Sequence, residues 1–340
     1  MRTATPRGLH RFAVVAACCT LGLVFAGGLV TSTGSGLAVP DWPLSYGTLN
    51  PPMVGGIRYE HSHRLIAGGV ALLATVLMVW AWWREPRRWV RTLALLAWIT
   101  VLVQALLGGL TVLLLLPTAV SVAHGGVAQV FFTLMCVLAV VTSPRWTSAS
   151  RSDQARADVR ALGIVVVACV YVQTLLGAWM RHSGAGLAIP DFPLSYGSVV
   201  PPLTAGGLDA ANAMRTQTYV LPFLASIAPV VINFAHRAWA VVTLVAIIAL
   251  FWATFRRHRQ SRVFVVLASS ALGLACVQAL LGGLTVWTRK AVIPTTAHVA
   301  LGSVILATTV LYAVIYRRCT IPAADGSLAA AATSHGAAHA

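Results

Sequence analysis

Four histidines open four long apolar stretches of this chain: His63, His124, His236 and His298, spaced 61 residues apart in the first pair and 62 in the second. A charged or strongly polar group inside hydrocarbon costs roughly 2.5–3.5 kcal/mol on insertion scales. One such histidine is adequately explained by a hydrogen bond to a neighbouring helix. Four at matched positions imply a shared task. Two imidazoles offered from facing helices are the donor set for axial ligation of a planar iron porphyrin, with apolar side chains filling the rest of the pocket.

The two pairs differ in one neighbour. Glu60 lies three residues before His63, whereas Asn233 lies three before His236. Spacing i, i+3 puts acid and histidine on one helix face, and a carboxylate can accept a proton where an amide cannot. Glu60 is therefore the candidate catalytic group, the alternative being that it merely pairs with Arg64 or caps the helix. Arg64 and Arg237 directly follow the two ligands. They either pair with porphyrin propionates or anchor helix ends at lipid headgroups. Gln104 and Gln278 read as interhelical hydrogen-bonding amides, and Gly108, Gly109, Gly282 and Gly283 as sites of close helix approach. His61 reads as an exposed loop-edge residue. His10, His182, His258, His335 and His339 receive no role.

These residues ride on a repeat. GSGLAVPDWPLSYG at 34–47 returns as GAGLAIPDFPLSYG at 184–197, and VQALLGGLTV at 103–112 returns unchanged at 277–286. A repeat that keeps its paired histidines predicts two similar pockets.

The elements that must position them are membrane helices. The chain is 58% hydrophobic and 9% charged, with a mean hydropathy of +0.81. About 20 apolar residues cross a bilayer core as a helix. Eight segments qualify, near 12–30, 63–83, 92–114, 121–142, 160–180, 228–253, 263–287 and 296–316. Continuous apolar runs of this length exclude a barrel of alternating strands. The fold class is thus an all-α integral membrane protein, eight transmembrane helices in two duplicated four-helix bundles, residues 1–150 and 151–318, followed by a disordered tail at 319–340.

The net charge of +16 is no sign of nucleic-acid binding. Arginines cluster before the first span, in every second connection and after the last span, the positive-inside pattern for both termini in the cytoplasm, where they meet anionic lipid. The first apolar run reads as retained rather than cleaved, since its counterpart in the repeat is a full span. With no Arg/Ser-rich transit stretch ahead of it, the expected location is a bacterial cytoplasmic membrane. Five of the six cysteines fall within spans and the sixth after the last one, with none in the outer loops. They form neither a disulfide framework nor a zinc spacing. The second outer loop carries about 23 extra residues within 203–226, either a short interfacial helix or a cover over the second pocket.

Taken together, the repeated GLAxPDxPLSYG loops, the Glu-x-x-His-Arg at 60–64, the His-Arg at 236–237 and the single histidines of the fourth and eighth spans resemble the haem A synthase family. The resemblance covers all eight spans. It implies an integral membrane oxidoreductase that converts a ring methyl of haem O to a formyl group by successive hydroxylations, giving haem A for terminal oxidases. It further implies a resident haem b held by His236 and His298 in the second half, with Arg237 beside it. The substrate haem then sits near His63, His124 and Arg64, with Glu60 as the catalytic group. Haem O synthase, oxidase assembly factors and a second copy of this chain are the protein partners it brings into view. Some members carry outer-loop cysteines; here those positions are Val39, Ser45, Ile189 and Ser195, so no thiol relay operates through them. Two rivals explain the paired histidines: a dihaem b-type electron-transfer cytochrome that modifies no haem, and a duplicated transporter using histidines for protons.

Overall fold

The computed structural model describes residues 7–148, 153–154 and 156–321; His335, His339 and the remainder of the expected tail lie outside them. Ten α-helices are present among the described residues, and eight are long and apolar enough to cross a membrane. These eight are α1 (Arg7–Ser32), α2 (Ile57–Arg84), α3 (Arg88–Leu113), α4 (Thr118–Val141), α6 (Ala157–His182), α8 (Ala228–His258), α9 (Arg262–Trp287) and α10 (Val292–Cys319). The short α5 (Pro144–Ser148) follows α4, and α7 (Ala205–Gln217) lies in the long second loop. A single parallel pairing of β1 (Asp153–Gln154) with β2 (Thr320–Ile321) ties the connection between the halves to the end of α10.

Helices α1 to α4 pack as a ring in which each touches its two neighbours, and α6, α8, α9 and α10 form a second ring in the same way. Consequently α2 and α4 stand across the first ring from each other, as do α8 and α10 across the second. The rings meet through α4 against α6 and α10, and through α1 against α10. Small buried residues let the helices approach closely, among them Ala13, Ala16, Ala74, Ala94 and Ala97 in the first ring and Ala268 and Ala271 in the second. This is how apolar helices associate when lipid removes any hydrophobic gain. Large side chains such as Leu72, Trp83, Val241 and Leu280 face outward, as a protein solvated by hydrocarbon requires.

Polar nodes close the bundle ends. Glu85 is fully buried and accepts from Arg87 Nε at 2.6 Å, while Arg87 also donates to the Val141 carbonyl. In the second ring the buried His258 pairs its Nε2 with the Tyr316 hydroxyl at 2.9 Å. Between the rings, Arg181 donates to the Gly28 carbonyl and to Ser32 Oγ, which also receives Thr296 Oγ1. Buried polar groups with such partners in a membrane span fix register rather than add much stability.

Candidate functional site

Three of the four helices carrying the histidines, α2, α4 and α10, begin earlier than hydropathy predicted, and α8 begins at the predicted residue. His63, His124 and His298 are each the seventh residue of their helix, and His236 is the ninth of α8. At 1.5 Å per residue this sinks the first three about 9 Å below the helix start. Hydropathy missed the opening of α2 because Arg58, Tyr59, Glu60 and His61 are polar. They are helical all the same: Glu60 and His61 find partners on the loop, at Val39 N–H and Ser45 Oγ, and Arg58 donates to the Tyr59 hydroxyl.

Each imidazole rests against a glycine of a neighbouring helix. A Cβ at Gly27 of α1 would lie 3.0 Å from His63 Cε1, and one at Gly108 of α3 would lie 3.1 Å from His124 Cε1. The second ring repeats the arrangement, with Gly177 of α6 at 3.0 Å from His236 Cε1 and Gly282 of α9 at 3.2 Å from His298 Cε1. A side chain at any of the four would crowd its ring, which would have to give by a few tenths of an ångström even for a methyl group. Sequence reading singled out Gly108 and Gly282 but missed Gly27 and Gly177. Their signal was available, since the two occupy the same place in the repeat 150 residues apart.

Glutamines back three of the four histidines. Gln104 Nε2 lies 3.2 Å from His124 Nε2, and Gln173 Nε2 lies 3.2 Å from His236 Nδ1. Gln278 donates to the His298 carbonyl at 2.9 Å, while His298 Nδ1 lies 3.1 Å from the Gln278 carbonyl. The interhelical role expected of Gln104 and Gln278 is what the structure has, and Gln173 was not anticipated. His63 Nδ1 and His124 Nδ1 are buried without a hydrogen-bond partner among the described residues.

The outer loops are built alike. The Asp41 carboxylate accepts the backbone N–H groups of Tyr46 and Gly47 at 2.7 and 2.8 Å, and Asp191 does the same for Tyr196 and Gly197. The Gly47 and Tyr46 amides hold the Asp41 carboxyl below its ordinary value of 3.8, because they stabilise only its charged form. Tyr46 and Tyr196 take the left-handed conformation at φ 53° and 56°, and their hydroxyls donate to the carbonyls of Ala38 and Ala188. The loop then inserts one aromatic ring: Trp42 packs on Gly109 and Phe192 on Gly283, each glycine being next to one that cradles a histidine.

Arg64 and Arg237 are spent on these loops, neither on headgroups nor on free ligand space. Arg64 donates to the carbonyls of Asp41, Leu44 and Val39 and to Glu60 Oε1. Arg237 donates to the carbonyls of Asp191, Leu194 and Ile189. Glu60, only 3% exposed, pairs with Arg64 at 2.6 Å and accepts Val39 N–H at 2.9 Å; the alternative pairing weighed for it is thus present. Asn233 reaches the loop as a donor, to the carbonyls of Ala185 and Gly186. His61 is not exposed: it is buried, with Nδ1 2.8 Å from Ser45 Oγ. The inserted segment contains α7, seated on the second loop by Arg215, which donates to the carbonyls of Leu187, Ala188 and Pro222.

The donor set fits a porphyrin better than a bare ion. Among the described residues no group of three or more His, Cys, Asp or Glu is placed to hold a metal ion. Two imidazoles per ring suit a metal that arrives with four ligands of its own. The glycine cradles and the unpartnered ring nitrogens are what such a group would use. A cavity of about 610 Å³ between α4 and α6, lined by Gly126, Tyr171 and Trp179, includes none of the four histidines and is a separate feature.

Residues 57–310 match the family described as cytochrome oxidase assembly protein (COX15-CtaA). The chain belongs to that family. Curated relatives named "Heme A synthase" agree along its length. The Shouchella clausii protein is 30% identical over 294 residues, covering 84% of this chain and 89% of the relative. That of Bacillus mycoides is 27% identical over 325 residues, covering 94% and 96%. That of Alkalihalophilus pseudofirmus is 26% identical over 287 residues, covering 83% and 89%. The family membership read from the loop and histidine motifs therefore holds, and the eight apolar helices make the chain a multi-pass membrane protein.

Proposed function

We propose that this protein is a haem A synthase of a bacterial cytoplasmic membrane, with both termini inside. It takes haem O in the first ring and keeps a haem b in the second. The observation that carries the reading is the pair of diagonal imidazoles in each ring, each seated on a glycine, in a chain whose relatives bear that name.

With water as the oxygen source, converting the ring methyl of haem O to formyl by two hydroxylations and loss of water from the geminal diol releases four protons and four electrons, which an external electron acceptor must take up. His236 and His298 would hold a haem b, which would pass those electrons on one at a time. His63 and His124 hold the substrate in the first ring. Trp42 and the loop behind it close the outer end and exclude water. Glu60 takes up protons from the reacting face. Arg64 and Arg237 keep the two loops seated. Haem O synthase supplies the substrate, and oxidase assembly factors receive the product.

The test is the pigment extracted from purified protein. A haem A synthase yields haem b together with haem O or haem A, whereas an electron-transfer cytochrome yields haem b alone and a proton-coupled transporter yields none.

A further inference from the structure

Three of the four glycine cradles have a glutamine one turn earlier on the same helix: Gln104 before Gly108, Gln173 before Gly177 and Gln278 before Gly282. Spacing i, i+4 sets glutamine and glycine on one face, and each glutamine contacts the histidine its glycine cradles. In α1 the same place, four residues before Gly27, is Leu23. His63 correspondingly makes no side-chain hydrogen bond among the described residues.

We infer that His63 is the ligand that lets the substrate haem in and out, because Leu23 leaves its imidazole without the amide that contacts those of His124 and His236, and it also lacks the backbone acceptor that His298 Nδ1 finds at Gln278. This rests on the proposed division between a substrate ring and a resident ring. The Gln173 amide oxygen is buried with no partner among the described residues; a half-turn of the amide would present it to His236 Nδ1–H in exchange for the bond its nitrogen now donates to the His236 carbonyl at 3.1 Å. A histidine held that way keeps its ring orientation and its basicity as a metal ligand. Leucine offers neither. On release, the iron–nitrogen bond breaks with its electron pair staying on the His63 imidazole, and the iron keeps its oxidation state. His124 retains the haem while His63 is off, so one coordination position opens only in the first ring. Gln173 and Leu23 are thus positioning residues, acting on haem through the histidines.

The experiment uses full-length protein loaded with ferric protohaem and mixed with excess apomyoglobin. Haem loss should be biphasic, with the fast phase absent from His63→Ala and the slow phase absent from His236→Ala. Leu23→Gln should slow the fast phase about tenfold, the usual size of an outer-shell effect on a metal ligand. Gln173→Leu should speed the slow phase by a similar factor and add a five-coordinate, high-spin signal to the spectrum. Gln173→Glu, which keeps an acceptor oxygen, should restore slow loss and a low-spin spectrum; a packing role alone would not be rescued so. A fast phase indifferent to Leu23→Gln in loaded protein, or one that belongs to the second ring, overturns the inference. Haem capture needs no turnover. Absence of haem A from extracts would therefore sink the proposed function while leaving this result standing.

Discussion

Gly177 of α6 lies so close to His236 of α8 that a Cβ there would stand 3.0 Å from the imidazole Cε1, tighter than ordinary van der Waals contact. Gly177→Ala should push the ring off its position, and Gly177→Leu should expel it. The second-ring chromophore of purified Gly177→Leu should fall below a tenth of the unmodified level in an optical spectrum, while first-ring haem remains. Gly27→Leu should do the reverse.

Arg237 joins α8 to three loop carbonyls, those of Asp191, Leu194 and Ile189. A lysine has no planar fork to span them. Arg237→Lys should cost roughly 3–6 kcal/mol, since hydrogen bonds to charged groups contribute about 1.5–3 kcal/mol each and two of the three are lost. Thermal unfolding in detergent measures this, and an unchanged midpoint would show the clamp to be idle.

The Asp41 turn gives a pH prediction. Its folded pKa is lowered by the Gly47 and Tyr46 amides. The contribution to loop stability is therefore complete above the ordinary value of 3.8 and lost as pH falls through the lower folded value. Limited proteolysis of residues 33–56 should find the loop equally protected from about pH 8 to about pH 5 and cleavable only in stronger acid. Asp41→Asn, with one acceptor oxygen for two amides, should be cleaved faster at every pH.

Glu60 separates two roles by its replacements. Glu60→Gln keeps an acceptor for Val39 N–H but loses the proton site and the charge facing Arg64. If proton uptake is its task, Glu60→Gln should bind haem, resist heat nearly as well as the parent, and form less than a hundredth of the haem A. Full activity in that variant would reduce Glu60 to a loop anchor.

Much of this architecture was legible in the residue pattern. Long apolar runs have one solution in a bilayer, so all eight spans were readable, and the repeated loops marked both rings. The start of α2 was not, because side chains such as Glu60 and His61 look like loop residues until their partners, Val39 N–H and Ser45 Oγ, are in place. The arginine clamps were invisible for a related reason: their targets are backbone carbonyls, which carry no residue identity. His258, which received no role, is buried against Tyr316 on α10. Gln173 was missed because its first-half counterpart is Leu23, so the repeat hid it.

The central claim is that the two rings hold chemically different haems, and extraction of pigment from His63→Ala and His236→Ala proteins tests it most directly. The account predicts that His236→Ala loses haem b, and that His63→Ala keeps haem b but contains little haem O or haem A. Equal loss of one pigment from both variants, or colourless protein from cells replete in iron and porphyrin, would contradict it.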